Sequence, residues 1–332
     1  MRAMVIDEFG PPAVFYPAEV AEPSPGPGQV LIEVAASSLN PVDAKIRSGR
    51  LRDIAPPRPA ILHGDVAGTV AAVGEGVTAF ATGDAVYACA GGVGRWQGAL
   101  ARYMVADARL VAPAPAGLAA EAAATLPLVA ITAWEALVDK AGVGPDRDVL
   151  VYGGAGGVGS LGVQLAKWKG ARVVATAGDE EKADAVRALG ADEVVDHRAV
   201  STARMVERYT GGRGFDVVFD TVGGAHLAEA FAAAAYNGAV VTTSSRVEQD
   251  LSPLHARGLS LHVVFMLIPL LHGTGLERHG RILREVAALV ERGAVRPHLD
   301  PQRFGLSEAA AAHAHWEAGR ARGKVRLVND LG

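Results

Sequence analysis

Three glycines in the middle of the chain, Gly154, Gly156 and Gly159, have the G-x-G-x-x-G spacing of a dinucleotide-binding turn. Glycine at the first position permits a tight turn, at the second it lets the backbone approach a pyrophosphate, and at the third it lets a helix pack close to its strand. Backbone N–H groups and the positive end of the helix dipole would then face the phosphates. The predicted cofactor-binding stretch is Gly154, Ala155, Gly156, Gly157, Val158 and Gly159.

The residues before the glycine turn are typical of a strand, and those after it are typical of a helix. The apolar run at 149–152 is typical of a parallel strand that is buried on both faces, and a helical segment follows the turn as far as residue 170. Because strand, glycine turn and helix follow one another in the required order, the motif is more specific here than an isolated glycine-rich loop.

The pattern of apolar residues predicts an α/β chain with two kinds of domain. After the glycine turn, strands are predicted at 172–176, 193–195, 215–219 and 239–243, with helices between them. This alternation indicates a doubly wound parallel sheet. The first third of the chain has short apolar runs separated by Gly- and Pro-rich turns, which indicates a compact β-barrel.

Composition limits the compartment and the partners. The formal net charge is −4 and no long basic run exists, which argues against nucleic acid as the main ligand. Cys89 is the single cysteine, so a disulfide framework is excluded. The most apolar late stretch, 259–271, is too short to span a bilayer. Asp7 and Glu8 stand where a signal peptide would be apolar, so a cytoplasmic protein without a membrane partner is expected.

Five segments along the chain resemble the medium-chain dehydrogenase/reductases, and within them the zinc-free quinone oxidoreductases that include ζ-crystallin. These segments are ASSLNPVDAKIRSG from Ala36, GDVAGTVAAVGEGV from Gly64, LPLVAITAWEAL from Leu126, GGAGGVGSLGVQLAK from Gly153 and GKVRLV from Gly323. The resemblance implies a GroES-like β-barrel catalytic domain at 1–123 and 269–332, a Rossmann domain at 124–268, and a cleft joining them. It also implies a homodimer in which the last Rossmann strands of two subunits pair edge to edge.

The resemblance raises the question of zinc, because metal-dependent alcohol dehydrogenases share this fold. A catalytic zinc needs thiolate and imidazole ligands and one open position. Asn40 stands where those enzymes carry their first cysteine ligand, and Gly64-Asp65 stands in place of a His-Glu pair. His63 and Asp65 could in principle bind a metal, but soft partners are lacking nearby. No metal is therefore expected, and His63 is expected to line the cleft.

The end of the second Rossmann strand bears on the choice between NADP(H) and NAD(H). NAD-specific sites usually place an acid there, about twenty residues after the glycines, to bind the ribose hydroxyls. Ala177 and Gly178 occupy that position, whereas Asp179 and Glu180 are explained as the N-cap and first turn of the next helix. The sequence favours NADP(H), since an acid at this point would repel a 2′-phosphate.

The resemblance adds residues from two further segments to the cofactor site. Lys182 matches the family's basic residue in the phosphate-binding segment. His197 belongs to the segment EVVDHR, whose ζ-crystallin version lies near the adenosine phosphate. Ser244, Ser245 and Arg246 match the loop below the nicotinamide half. Together these residues would bind both ends of the dinucleotide.

Four other residues are assigned to the reacting end of the site. Asn40 and Asp43, in the segment NPVD, are the predicted polar floor, although an Asn-Pro pair can instead cap a helix. Thr132 would approach the nicotinamide amide, or would be only a buried helix hydroxyl. Lys45 stands where many relatives carry a tyrosine facing the cofactor, which leaves the proton donor open.

The implied reaction is transfer of a hydride from NADPH to a quinone or an activated alkene such as an enone, without a metal. The cofactor supplies the hydride, and the protein supplies orientation and hydrogen bonds. A zinc-dependent alcohol dehydrogenase and a non-catalytic NADPH-binding protein are the alternatives. Trp96 could stack on a quinone ring or cap the barrel core, and His313 and His315, two apart on a predicted helix, are expected at the surface.

Overall fold

The computed structural model describes residues 1–332, and the packing of its Cα atoms divides the chain into two compact units. Unit 1 comprises residues 1–128, 267–293 and 299–332, and unit 2 comprises residues 129–266 and 294–298. The short return of residues 294–298 to unit 2 is not expected from the sequence. Gln164 explains it, because its side chain accepts from the backbone N–H of Arg296 and donates to the carbonyl of the same residue.

Fifteen strands and eleven α-helices make up the two units. The strands are β1 (Arg2–Val5), β2 (Tyr16–Glu19), β3 (Gln29–Ser38), β4 (Asp65–Val73), β5 (Ala85–Cys89), β6 (Tyr103–Asp107), β7 (Val111–Pro113), β8 (Asp148–Tyr152), β9 (Arg172–Ala177), β10 (Glu193–Asp196), β11 (Phe215–Asp220), β12 (Ala234–Thr242), β13 (Ser260–Val263), β14 (Leu299–Gly305) and β15 (Lys324–Val328). The helices are α1 (Pro41–Arg47), α2 (Ala120–Ala123), α3 (Pro127–Trp134), α4 (Gly157–Trp168), α5 (Glu180–Ala188), α6 (Thr202–Thr210), α7 (Leu227–Ala233), α8 (Ser252–Arg257), α9 (Ile268–His272), α10 (Leu276–Glu291) and α11 (Ala309–Glu317).

Unit 1 is built around the long strand β3. Its sheet has the order β14-β15-β3-β4-β5-β7, with β6 also paired to β3, and every pair except β14-β15 is antiparallel. The strand β3 continues through Ser37 and Ser38, which are polar but buried and hydrogen-bonded to Asp65. A Cβ at Gly68 would lie 2.0 Å from the carbonyl oxygen of Glu33, so β3 and β4 approach too closely for a side chain there.

Unit 2 contains a six-stranded sheet in which all neighbouring strands are parallel. The order is β10-β9-β8-β11-β12-β13, which confirms the predicted α/β class and the doubly wound parallel sheet. The core strand β8 is flanked by β9 and β11, and Val149, Leu150, Val151 and Tyr152 are buried as expected for a central parallel strand.

The helical stretch that follows β7 is interrupted at a proline. Helix α2 ends at Ala123 and α3 begins at Pro127, because proline lacks the N–H that a continuous helix would need but fits the first helical position. The chain passes from unit 1 to unit 2 within α3, after Leu128. No helix of the protein combines the length and the apolar character needed to cross a lipid bilayer.

The predicted surface location of two histidines on α11 is wrong. His313 is 0% exposed and His315 is 8% exposed. They do lie on different faces of the helix, since His313 contacts His63 while His315 contacts Asp300. Both faces are covered because α11 packs against β14, β15 and the 3-10 turn at Pro12–Val14.

Candidate functional site

The turn between β8 and α4 has the geometry of a phosphate-binding loop. Gly153 has a φ of +75°, and Gly156 is the extended residue that precedes the helix. The loop is tied to β9, since the N–H of Gly154 donates to the carbonyl of Thr176 at 2.9 Å. The N–H groups in the first turn of α4 have no partner within a helix, so they are available to an anion.

Two of the motif glycines differ in what a side chain would meet. A Cβ at Gly159 would lie 2.1 Å from the carbonyl oxygen of Gly153, so this glycine is needed for the packing of α4 on β8. A Cβ at Gly156 would meet only that same oxygen, at 3.2 Å, and its φ of −73° suits any residue. The fold therefore does not require glycine at 156, whereas a ligand approaching the backbone would.

The acidic residue in the segment after β9, Asp179, has a structural role. Asp179 is the N-cap of α5, and its side chain accepts from the backbone N–H of Lys182 at 2.9 Å. The ammonium of Lys182 lies 3.1 Å from the same carboxylate, with both side chains partly exposed. The interpretation of Asp179 as a helix cap is confirmed, and Lys182 lies at the beginning of that helix.

Sequence reasoning missed Arg198, a basic residue near the end of β9 that follows the predicted His197. The Nδ1 of His197 lies 3.1 Å from the carbonyl oxygen of Ala177, which fixes the ring beside Gly178. The guanidinium of Arg198 lies beside Gly178 as well, since its Cζ would be 3.9 Å from a Cβ placed at that glycine. The Nε of Arg198 donates to Asp196 at 3.4 Å. The only signal in the sequence is that Arg198 directly follows His197.

A buried carboxylate organises the loops after β11 and β12. Asp220 accepts from Thr242 Oγ1 at 3.0 Å and from the N–H of Gly223 at 2.9 Å, and Thr242 Oγ1 accepts in turn from the N–H of Ser244. Burial alone would raise the pKa of Asp220, but hydrogen bonds from His226 and the backbone lower it below its usual range. This network fixes the start of the loop that carries Ser244.

The other residues assigned to the cofactor lie in varied surroundings. Ser245 and Arg246 are exposed in the loop after β12, and Lys45 is half-buried on α1. Thr132 is buried on α3. Trp96 is also buried, with its ring covered by the guanidinium of Arg95 at 4.6 Å, which agrees with its alternative role as a core residue.

Asn40 and Asp43 do not form an open polar floor, because both side chains are completely buried. The backbone N–H of Asn40 donates to Asp43 Oδ2 at 2.8 Å and the N–H of Asp43 donates back to the carbonyl of Asn40 at 3.0 Å. Asn40 is thus the N-cap residue of α1, as the alternative interpretation predicts. Burial raises the pKa of Asp43 to about 7.

The side chain of Asn40 reaches into a buried cluster centred on Asp65. Asp65 Oδ2 accepts from Ser38 Oγ at 2.8 Å and from Asn40 Nδ2 at 2.7 Å, and Asp65 Oδ1 accepts from the N–H of Leu128 at 2.8 Å. Lys324 Nζ lies 3.6 Å from Asp65 Oδ2 and donates to Asn40 Oδ1 at 2.5 Å. Sequence reasoning missed Ser38 and Lys324, since no spacing relates residues so far apart in the chain.

A zinc ion does not fit the side chains of this cluster. The lone-pair directions of Asp65 are already used by neutral donors and by the ammonium of Lys324, which would repel a second cation. The one thiol, Cys89, is buried, and burial raises the pKa of that thiol well above its usual range. No three His, Cys, Asp or Glu side chains of the protein group around a common metal position.

A chain of hydrogen-bonded side chains lies next to this cluster, and His63 is fully buried in it rather than lining a cleft. Arg47 Nε donates to His313 Nδ1 at 3.3 Å, so His313 Nε2 carries the proton and donates to His63 Nε2 at 3.0 Å. His63 Nδ1 then faces Ser37 Oγ at 3.4 Å, and Ser37 donates to the carbonyl of Asp65 at 2.6 Å. Burial lowers the pKa of His63 to about 3 and that of His313 well below its usual value.

Two family models match the chain. The alcohol dehydrogenase GroES-like domain matches residues 26–116, and the zinc-binding dehydrogenase matches residues 189–327.

Individual proteins match over nearly the whole chain. It is 31% identical over 330 residues to the quinone oxidoreductase of Homo sapiens, covering 99% of this chain and 98% of that protein. It is 33% identical to the NADPH-dependent alkenal/one oxidoreductase, chloroplastic, of Arabidopsis thaliana, covering 98% of this chain and 78% of that protein. A crystal structure of an alcohol dehydrogenase superfamily protein from Novosphingobium aromaticivorans matches with a TM-score of 0.94 and 41% identity, covering 99% of this chain and 100% of that one.

The contrast between the two glycines predicts different outcomes for the same substitution. Gly156→Ala should leave the melting temperature nearly unchanged but weaken dinucleotide binding on the order of tenfold or more, because the methyl group keeps the backbone from the pyrophosphate. Gly159→Ala should lower the melting temperature by several degrees, since its Cβ overlaps a backbone oxygen. Thermal unfolding and calorimetric titration measure both effects. Full affinity in folded Gly156→Ala would disprove the assignment of the turn.

The buried histidines predict a loss of stability in acid. In the unfolded chain a histidine binds a proton near pH 6.5, whereas His63 and His313 remain neutral in the fold, so their contribution is present above pH 6.5 and declines toward pH 3. Each should lower the free energy of unfolding by about 2 kcal/mol between pH 7 and pH 5. Urea unfolding of wild type and His313→Phe at both pH values measures the pH dependence of the free energy of unfolding in each protein. The difference between them reports His313, because titrating groups that do not contact it contribute equally to both. An identical pH dependence in the two proteins would contradict the neutral pair.

Proposed function

The chain belongs to the medium-chain dehydrogenase/reductase superfamily, in its quinone oxidoreductase group, and from this premise we propose that it transfers a hydride from NADPH to a quinone or an activated alkene without a metal ion. It is an oxidoreductase of a superfamily that binds NAD(P)H, and its predicted GroES-like and Rossmann folds are confirmed. We assign the phosphates of the cofactor to residues of unit 2.

The observation that carries the proposal is the ammonium of Lys324 within the Asp65 cluster. A cation lies among the side chains that would otherwise offer ligands, which supports an acceptor that needs no Lewis acid. Quinones and enones meet this requirement, because each takes a hydride at an electron-poor atom to give a delocalised anion. The names of the human and Arabidopsis relatives point to the same two acceptor classes.

The residues of unit 2 are suited to hold the cofactor in a fixed orientation. The N–H groups at the start of α4 would bind the pyrophosphate, and Lys182, His197 and Arg198 would surround the 2′-phosphate. Ser244 would support the nicotinamide half from the loop that Asp220 anchors. NADPH supplies the hydride when bound, and one proton from water completes the reduction of a quinone to a hydroquinone.

Zinc-dependent alcohol dehydrogenase is the weaker alternative. One matching family model is described as zinc-binding, but the side chains around Asp65 in this chain do not suit the ion. A non-catalytic NADPH-binding protein is the other alternative, and only an assay separates it from an enzyme.

We also propose that the protein is a homodimer formed through strand β13. This strand lies at the open edge of the parallel sheet, and the nearby Val263 and Phe265 are 44% and 45% exposed. An apolar, unpaired edge of this kind is normally covered by another strand. Sedimentation equilibrium would report the dimer.

The negative net charge and the reduced, buried Cys89 agree with a cytoplasmic protein that does not bind nucleic acid.

The proposed function predicts oxidation of NADPH by quinones and enones. Purified protein should oxidise NADPH in the presence of 9,10-phenanthrenequinone, 1,4-benzoquinone or a simple enone, followed at the nicotinamide absorbance and corrected for the reaction without protein. A simple secondary alcohol with NADP⁺ serves as the comparison, since its oxidation would favour the zinc alternative. Tight NADPH binding without turnover of these acceptors would contradict the proposed quinone and enone reduction and would favour another alkene substrate or the non-catalytic alternative.

The basic groups after β9 predict a preference for NADPH. Lys182→Ala and Arg198→Ala should each raise the KM for NADPH on the order of tenfold and change the KM for NADH little, because each removes a charge-assisted hydrogen bond to the 2′-phosphate. Arg187→Ala is the matched control on α5, since this arginine pairs only with the acidic side chains of Glu180 and Asp184. Equal losses with both cofactors would show that these groups do not meet the 2′-phosphate.

A further inference from the structure

Lys324 is a buried lysine, 5% exposed, whose ammonium has two hydrogen-bond acceptors and one carboxylate nearby. Nζ donates to Asn40 Oδ1 at 2.5 Å and to the carbonyl of Leu39 at 2.9 Å, and it lies 3.6 Å from Asp65 Oδ2. Taking an ammonium and a carboxylate out of water is costly, and a well-packed apolar pair of the same volume is often at least as stable. Stability alone therefore gives little reason for an ion pair at this position.

The pair fixes the orientation of a side-chain amide. Asn40 donates through Nδ2 to Asp65 and accepts through Oδ1 from Lys324. A flipped amide would place its NH₂ against the ammonium and its oxygen against the carboxylate, so one orientation is strongly preferred. Asn40 in turn begins α1, the helix that carries Lys45.

The carboxylate fixes a second helix as well. Asp65 Oδ1 accepts from the N–H of Leu128 in the first turn of α3, the helix on which Thr132 lies one turn later. A carboxylate at this position satisfies a free N–H and complements the helix dipole. The starts of α1 and α3 are thus set by one ion pair, and both helices carry residues that we assign to the cofactor.

We propose that Lys324 and Asp65, which form a buried ion pair, are positioning residues for hydride transfer. The pair has no contact with reacting atoms in this account. It acts by holding the side chain of Asn40 at the start of α1 and the N–H of Leu128 at the start of α3. This inference rests on the proposed reduction of quinones or enones by NADPH.

The test compares Lys324→Met, which keeps the length of the side chain, with the double variant Asp65→Asn/Lys324→Met. The single variant leaves a buried carboxylate without its cation, so its melting temperature should fall by roughly 5–10 °C. The double variant removes both charges and should recover most of that loss. Lys167→Met is the control, because Lys167 forms a partly exposed pair with Asp192, of a kind that contributes little.

The decisive readout is the primary deuterium isotope effect on kcat with NADPH deuterated at the transferred position. If the pair positions the reactants, both variants should lose kcat on the order of tenfold to a hundredfold, and the isotope effect should rise above that of wild type because hydride transfer becomes slower than the other steps. A merely structural role lowers the active fraction and leaves the isotope effect unchanged.

Three outcomes separate the possibilities. A raised isotope effect in the thermally recovered double variant supports the inference even if Lys324→Met alone does not fold. A recovered double variant with the kcat and isotope effect of wild type overturns it. Wild-type protein that turns over no acceptor overturns the proposed function, and the inference with it, so the two failures are distinguished by the wild-type assay.

Discussion

The carboxylate of Asp65 is the interaction on which unit 1 depends. It is fully buried, yet its two oxygens receive donors from β3, from the start of α1, from the start of α3 and from β15. A buried charge is tolerated only when it is paired and its lone pairs are used, and both conditions are met here. The closing strand β15 pairs with β3 and brings Lys324 to this point.

A chain of hydrogen-bonded side chains from Arg47 to Ser37 lies next to the Asp65 cluster and contacts it through Ser37. Arg47, buried beside Glu317, is a permanent donor, and this sets the tautomer of His313 and through it that of His63. The direction of every hydrogen bond as far as Ser37 is therefore determined. A fully satisfied polar network specifies a single arrangement, whereas an apolar core could pack in several ways.

Sequence reasoning succeeded where function follows from local order and failed where it follows from long-range packing. The glycine turn, the parallel sheet and the N-cap role of Asp179 are all set by residues close together in the chain. Lys324 meets Asn40 from 284 residues away, and no periodicity indicates that contact. His313 was misplaced for a related reason, because helix spacing shows that two side chains lie on different faces but not that both faces are covered.

The central proposal is that this oxidoreductase transfers a hydride from NADPH to a quinone or an activated alkene without a metal ion. The most direct measurement is zinc content, by elemental analysis, and NADPH:quinone turnover on the same sample before and after exhaustive dialysis against a strong chelator. The account predicts turnover that is unchanged by dialysis at a zinc content far below one ion per chain. Stoichiometric zinc in the purified protein, with turnover that is lost on its removal and restored on its return, would contradict it.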